Sequence, residues 1–301
     1  MPAGAFRCRR TRSPGPGADG RDAPQKLPTL PEDHFPGVGM SDPSVHREIQ
    51  ARLDAIERAE GVRIVLAVES GSRAWGFPSR DSDWDVRFLY VRPLEWYLAI
   101  DACARPDVIE RPVDGVWDFS GWDLRKALLL LRRSNPALLE WLRSPIVYRE
   151  HPSIARDLRA VAVPFASAQA CFRHYLHMAQ GNFRGYLQGA EVRRKKYLYV
   201  LRPVLAMLWI ERGLGQVPVE FDALFDTIVP PGALRDAIMR LLADKREGVE
   251  MEAGPRIVVL NEFLESELDR LSSLALDPPG PAPDPAPLNG LFRDALDVGS
   301  G

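Results

Sequence analysis

Residues 69–91 read ESGSRAWGFPSRDSDWDVRFLYV, and the rest of the chain is organised around them. Gly71-Ser72 makes a turn, and a short basic and aromatic segment follows. The acidic alternation Asp81-Ser82-Asp83-Trp84-Asp85 then runs straight into an apolar strand pattern, Val86 to Val91. Side chains at i and i+2 of a strand share a face, so Asp83 and Asp85 project together, about 7 Å apart along the strand. Neighbouring carboxylates repel unless a cation sits between them. Mg²⁺ carrying a phosphate is the simplest such cation.

Working outward, Val62 to Val68 is a β-branched apolar run, a buried strand that Glu69-Ser70-Gly71-Ser72 ends in a turn. Before it, Val45, Ile49, Leu53, Ile56 and Ala59 recur at helical spacing over residues 44–60. After the turn, Arg73 to Phe77 begins a short helix whose positive end faces the turn. Leu94 to Ile100 reads as helix. Residues 108–113 and 116–119 read as a hairpin with Asp114-Gly115 at its turn. A helix over residues 123–133 stops at Asn135-Pro136, another covers 137–143, and residues 152–275 are almost entirely helical in pattern. The order α-β-turn-β, hairpin, then helices predicts an α+β head, a small mixed sheet with flanking helices, followed by an all-α part.

Across 301 residues, 46% hydrophobic and 27% charged content are ordinary for a globular chain. The formal charge of −2 gives no overall basic signal, so any contact with nucleic acid must rest on a local surface. Cys8, Cys103 and Cys171 fit neither a disulfide framework nor a zinc spacing, which points to a reducing, cytoplasmic compartment. No apolar run is long enough to cross a bilayer. Residues 1–39 and 277–301 are Pro-rich and read as disordered tails, with Met40 as the expected natural start and a stray turn at most over 291–297.

Two hard cations need oxygen ligands from several directions, so a third carboxylate belongs with Asp83 and Asp85. Asp118 is the candidate, an ionised group among Val116, Trp117 and Phe119, although a strand-end Asp capping a turn at Ser120-Gly121 is the alternative. Asp123 is explained as a helix cap and Asp114 by its turn, while Asp81 either orients the loop or meets metal through water.

Gly71-Ser72, Gly76, Ser82-Asp83-x-Asp85 and a distal Asp118 resemble the signature of the DNA polymerase β-like nucleotidyltransferase superfamily. The strings GSRAWGFPSRDSDWDVRFLY (71–90) and GWDLRKALLLLRRSNPALLEWLRSPIVY (121–148) are similar to one bacterial branch of it, named for a predicted RNA repair pathway. HYLHMAQGNFRGYL (174–187) and VRRKKYLYVLRPVLAMLWIERG (192–213) resemble that branch too. The resemblance covers about residues 45–270. It implies a nucleotidyltransferase domain over 40–150 and a helical substrate- and nucleotide-binding domain over 151–276. It also implies that Gly71 and Ser72 hold the phosphates of a nucleoside triphosphate (NTP), and that Asp83, Asp85 and Asp118 bind two Mg²⁺ ions, or Mn²⁺ in their place. A nucleoside monophosphate then passes to an acceptor hydroxyl, an RNA end in that branch, with release of pyrophosphate.

Arg73, Arg80 and Arg87 are near enough in sequence to neutralise the triphosphate. In the helical part, Lys195, Tyr199 and Arg202 share one side of a helix read over 191–212, with Lys196 beside them. The adjacent apolar stripe is Leu198, Leu201, Leu205 and Leu208. A basic face edged with tyrosine suits phosphate and base contacts, against the alternative of a merely solvated face. His174 and Asn182 are acceptor or nucleotide contacts by the resemblance, and Cys171 with His174 and His177 lacks a fourth zinc ligand. Trp117, Trp122, Trp141 and Trp209 read as core, whereas Trp75 and Trp84 flank the site. Two rival functions stay open: nucleotidylation of a protein or small molecule, and a non-catalytic nucleotide- or RNA-binding module.

Overall fold

The computed structural model describes residues 42–248, 253–275, 281 and 283–298, so the expected 1–39 tail and the Met40 start lie outside the described residues. Helix α1 (Pro43–Glu60) begins at Asp42, whose carboxylate accepts the Ser44 N–H, and ends on Gly61 at φ +60°. Its stripe Ile49, Leu53 and Ile56 is buried. Then come β1 (Arg63–Glu69), α2 (Gly71–Ala74), β2 (Trp84–Val91), α3 (Leu94–Leu98), β3 (Val108–Glu110), β4 (Trp117–Asp123), α4 (Leu124–Leu131), α5 (Pro136–Trp141), β5 (Val147–Glu150) and α6 (Pro152–Ala162).

The strands form one mixed sheet in the order β3-β4-β2-β1-β5. β1 runs antiparallel to β2 and β5, β3 antiparallel to β4, and β2 parallel to β4 with Asp85 opposite Asp118. Side-chain alternation sorts the layers. Val86, Phe88, Tyr90 and Phe119 pack with α1, whereas Val65, Val68, Leu89 and Val91 pack with α4, α5 and α6. Asp85 and Asp118 lie out of step with the first set, so both project from the face opposite α1.

Three local expectations need correction. Ser120-Gly121 is not a turn, because β4 runs through it to Asp123. Gly121 is there because a Cβ at that position would meet the Phe88 ring on the neighbouring strand. The short helix starts at Gly71 rather than Arg73. β5, absent from the sequence reading, is four residues between Pro145 and Pro152, too short to show a period.

The helical half comprises α7 (Ala168–Tyr186), β6 (Glu191–Val192), α8 (Lys196–Glu211), α9 (Phe221–Ile228), α10 (Ala233–Arg246), β7 (Gly254–Pro255) and α11 (Val258–Ser272). Residues 191–192 pair with β7, so the helix read over 191–212 begins at Lys196. The expected leucine stripe of α8 is buried, but so are Tyr197, Val200, Val204 and Met207. α8 is therefore a central helix, apolar nearly all round, and not an amphipathic one.

The Pro-rich segment expected as a tail contains α12 (Ala286–Val298). Leu288, Leu291, Ala295 and Leu296 are buried in the same core as β1, α4 and α6. α6 belongs to that core as well, so the head's core reaches past residue 150. No helix among the described residues is long and apolar enough to cross a membrane.

Candidate active site

The site forms where β1 and β2 diverge. The pairing continues past β1, with the Ser70 N–H donating to the Asp85 carbonyl at 2.9 Å. Gly71 follows at φ +59°, and a Cβ there would collide with the Asp85 carboxylate. A residue with no side chain that tolerates left-handed backbone is what lets the turn close onto Asp85. Glu69, fully buried behind it, accepts the Asp85 N–H at 2.9 Å and the Tyr148 hydroxyl at 2.6 Å. Burial pushes the Glu69 carboxyl up to about 7, partly offset by those two donors.

Asp85 and Asp118 face each other on β2 and β4, whereas Asp83, expected beside Asp85 in the strand, precedes β2, which begins at Trp84. The cationic group between Asp85 and Asp118 belongs to the protein. It is the guanidinium of Arg87, whose Nη2 stands 3.0 Å from Asp85 Oδ1 and 2.7 Å from Asp118 Oδ2. Its Nη1 donates to the Asp118 carbonyl at 3.0 Å. Burial raises the Asp85 carboxyl above the usual carboxylate range; Arg87 opposes this, while Asp118 and Asp83 add to it. As the side chains stand, no three His, Cys, Asp or Glu residues among those described converge closely enough to hold a metal. The donor set nevertheless fits a hard divalent cation: three carboxylates, two on adjacent strands in register and one just before them.

The loop from Phe77 to Asp83 is tied at Ser82, whose hydroxyl accepts the Ser79 N–H at 2.9 Å and the Ser72 hydroxyl at 3.2 Å. Arg73 fastens the start of β2 to α2. Its Nε and Nη2 donate to the Asp83 carbonyl at 3.1 Å and the Ser82 carbonyl at 2.7 Å, and its guanidinium lies 3.6 Å from the centre of the Trp84 ring. Trp84 stacks on Trp117 at 6.1 Å, and Arg52 covers Trp117 from α1. Arg73 and Arg87 are thus engaged with the protein itself, and only Arg80 of the three expected triphosphate partners is exposed without an ion pair among the described residues.

The helical half meets this face through Tyr199 and two lysines. Burial, then the charges of Asp85 and Asp83, raise the Tyr199 hydroxyl. Tyr199 packs edge-on to Trp75 at 5.6 Å, and Lys196 Nζ lies 4.8 Å from the Tyr199 ring and 4.6 Å from that of exposed Tyr186. Lys245 on α10 has its ammonium lowered by burial and by Lys195, against the pull of Asp83. Its Nζ is 5.9 Å from the Phe77 ring, and it has no acidic partner among the described residues. Lys245 escaped the sequence reading because it sits 162 positions from Asp83 among ordinary helical charges. Glu69 was read only as part of a turn.

Arg202 is a correction. Expected beside Lys195 and Tyr199 on a nucleotide-binding face, it is 3% exposed. It pairs with Glu140 at 2.7 Å and donates to the Val219 carbonyl at 3.1 Å. Helical spacing put it on the right side of α8, but that side is covered by the head. Glu140 also accepts from Trp75 and Tyr175, so this cluster joins the two halves. His174 is exposed, its imidazole lowered by partial burial and His177. Asn182 is half-buried on the same helix, and Cys171 is buried with its thiol donating to the Ser134 carbonyl.

A mixed sheet carrying a Gly-Ser turn, an Asp-x-Asp strand and a third Asp on the parallel neighbour defines the polymerase β-like nucleotidyltransferase class. A family model described as the RNA repair pathway DNA polymerase beta family matches residues 45–294, and the chain belongs to that family. It is 48% identical over 223 residues to the uncharacterized protein YcgL of Bacillus subtilis (strain 168), covering 74% of this chain and 85% of that one. A solved nucleotidyltransferase-like protein from Exiguobacterium sibiricum 255-15 is similar at 12% identity over 76% of this chain and 78% of its own, with a TM-score of 0.29, too low to bear on the site.

Proposed function

We propose that the chain transfers a nucleoside monophosphate from an NTP to an acceptor hydroxyl at an RNA end, releasing pyrophosphate. The observation that carries this reading is Asp85 set against the Gly71-Ser72 turn and opposite Asp118, with Asp83 just before β2 and Lys245 of the helical half within reach of its charge.

Asp83, Asp85 and Asp118 would hold Mg²⁺ or Mn²⁺, two ions in all, which when bound polarise the α-phosphate and make the acceptor hydroxyl easier to deprotonate. The turn and the Ser72 hydroxyl hold the β- and γ-phosphates. Lys195, Lys245 and Arg80 neutralise the triphosphate. The acceptor oxygen attacks the α-phosphorus in line, its proton leaves toward the Asp118 carboxylate, and the bond from the α-phosphorus to the β-phosphate oxygen breaks. Tyr186, Lys196 and Tyr199 form an aromatic and basic run beside the carboxylates that suits an unpaired polynucleotide. The family's description favours RNA in that place. A reducing cytoplasm suits a buried free Cys171.

The test is incubation with each of four α-labelled NTPs, Mg²⁺, total RNA and total protein. Label on RNA is expected, absent with Asp83→Ala/Asp85→Ala. Label on protein or a small molecule assigns the other acceptor class. No transfer at all, with no difference in the double variant, leaves a binding module.

A further inference from the structure

Asp85 and Asp118 stand opposite each other on β2 and β4, and the protein sets a cation of its own between them. Arg87 is two residues beyond Asp85 on β2, on the same face, and reaches back along its strand and across to β4. One nitrogen, Nη2, spans both carboxylates at 3.0 and 2.7 Å, so the point midway between Asp85 and Asp118 is taken. The other, Nη1, is anchored on the Asp118 carbonyl at 3.0 Å and the Val86 carbonyl at 3.3 Å. The guanidinium can therefore give up the carboxylates while its carbonyl bonds remain.

Resting on the nucleotidyltransferase reading, we propose that Arg87 is a built-in competitor of the divalent cation. It holds Asp85 and Asp118 together in the metal-free protein, and it must withdraw Nη2 before a cation enters between them. Two carboxylates this close would otherwise repel across the β2–β4 pair. Arg87 holds the metal-free site together and at the same time weakens metal affinity. A cation bound by Asp83 and Asp85 alone does not contest the Arg87 position, so the competition falls on the place shared by Asp85 and Asp118.

The experiment is direct Mn²⁺ binding to the full chain, followed by loss of the free-ion resonance signal, without nucleotide or acceptor. Wild type, Arg87→Gln and Arg87→Lys are compared, and the thermal midpoint of each is recorded with and without Mn²⁺. Arg87→Gln is expected to bind Mn²⁺ about tenfold more tightly, since two charge-assisted hydrogen bonds no longer compete. Its metal-free midpoint should fall, and its gain on adding Mn²⁺ should exceed that of wild type. Arg87→Lys keeps the charge without the fork and should lie between; it carries the comparison if the glutamine variant does not fold. Equal or weaker Mn²⁺ binding in the variants overturns the proposal, because Arg87 would then be neutral to the metal or part of its support. If neither wild type nor variants bind Mn²⁺ at millimolar concentration and Asp83→Asn behaves identically, the metal site itself is wrong. That result overturns the proposal together with the reading beneath it. Tighter binding in Arg87→Gln alongside failed nucleotide transfer supports the proposal while refuting the function.

Discussion

The chemistry of this site turns on atoms that single residues either supply or leave out. Gly71 contributes by having no Cβ. Gly71→Ala would place a methyl group onto the Asp85 carboxylate at a backbone conformation alanine avoids. We expect it to lower nucleotide transfer at least about 100-fold, as misplacement of a catalytic group by an ångström does, with the far-ultraviolet circular dichroism spectrum retained. Arg73 acts differently, through the backbone. It fixes the carbonyls of Ser82 and Asp83 against α2 and lies flat on Trp84. Arg73→Ala should raise the Mg²⁺ concentration for half-maximal activity about tenfold, because it loosens Asp83 without touching any carboxylate. Arg73→Lys should not rescue it, since an ammonium lacks the planar fork. An unchanged Mg²⁺ dependence in both variants would remove Arg73 from the site's support.

The elements decide how well that site is backed. Strand β2 is buried on both faces, by α1 on one side and by α4, α5 and α6 on the other. α12 completes the second layer, with Phe292 edge-on to Tyr97 at 5.1 Å and Tyr97 donating to the Asp123 cap of α4 at 2.8 Å. Leu291→Asp in α12 puts a charge into this core and should cost about 3–5 kcal/mol by urea unfolding. A loss below about 1 kcal/mol would mean that α12 is not part of the cooperative unit. The helix has its own periodicity, at Leu288, Leu291 and Ala295. The prolines ahead of it made the whole segment read as a tail, because composition over a window outweighed a single short stripe.

At the scale of the molecule, head and helical half are joined by a buried charge cluster. Arg202 pairs with Glu140, Trp75 and Tyr175 bond to the same carboxylate, and the Phe221 N–H donates to the Trp75 carbonyl at 2.9 Å. Arg202→Met alone leaves the half-buried Glu140 carboxylate without its ion-pair partner and should cost about 2–3 kcal/mol in chemical denaturation. Adding Glu140→Gln removes the stranded charge and should recover most of that loss. A double variant as unstable as the single one would show that packing, not charge, dominates there. Because this cluster sits one residue beyond Ala74 of α2, the pair variant should also raise the KM for the NTP more than it lowers kcat.

The sequence by itself determined the strand, turn and acidic strand of the head, and the crowding of Asp83 and Asp85 where that strand begins. These are local facts, since a two-residue side-chain period and a glycine turn are written in consecutive residues. It also determined the leucine stripe of α8, though not that the helix is buried on its other sides. Only the tertiary structure decided what depends on distant segments meeting. It placed Asp118 opposite Asp85, enclosed Glu69 with Tyr148, set Lys245 near Asp83, and turned Arg202 from an expected ligand contact into an internal ion pair. Arg87 belongs to both accounts. Its spacing from Asp85 is legible in the strand, but a guanidinium two residues away is a triphosphate partner or a rival to the metal according to what lies across the sheet. That is set by the register of β2 on β4, which no stretch of consecutive residues encodes.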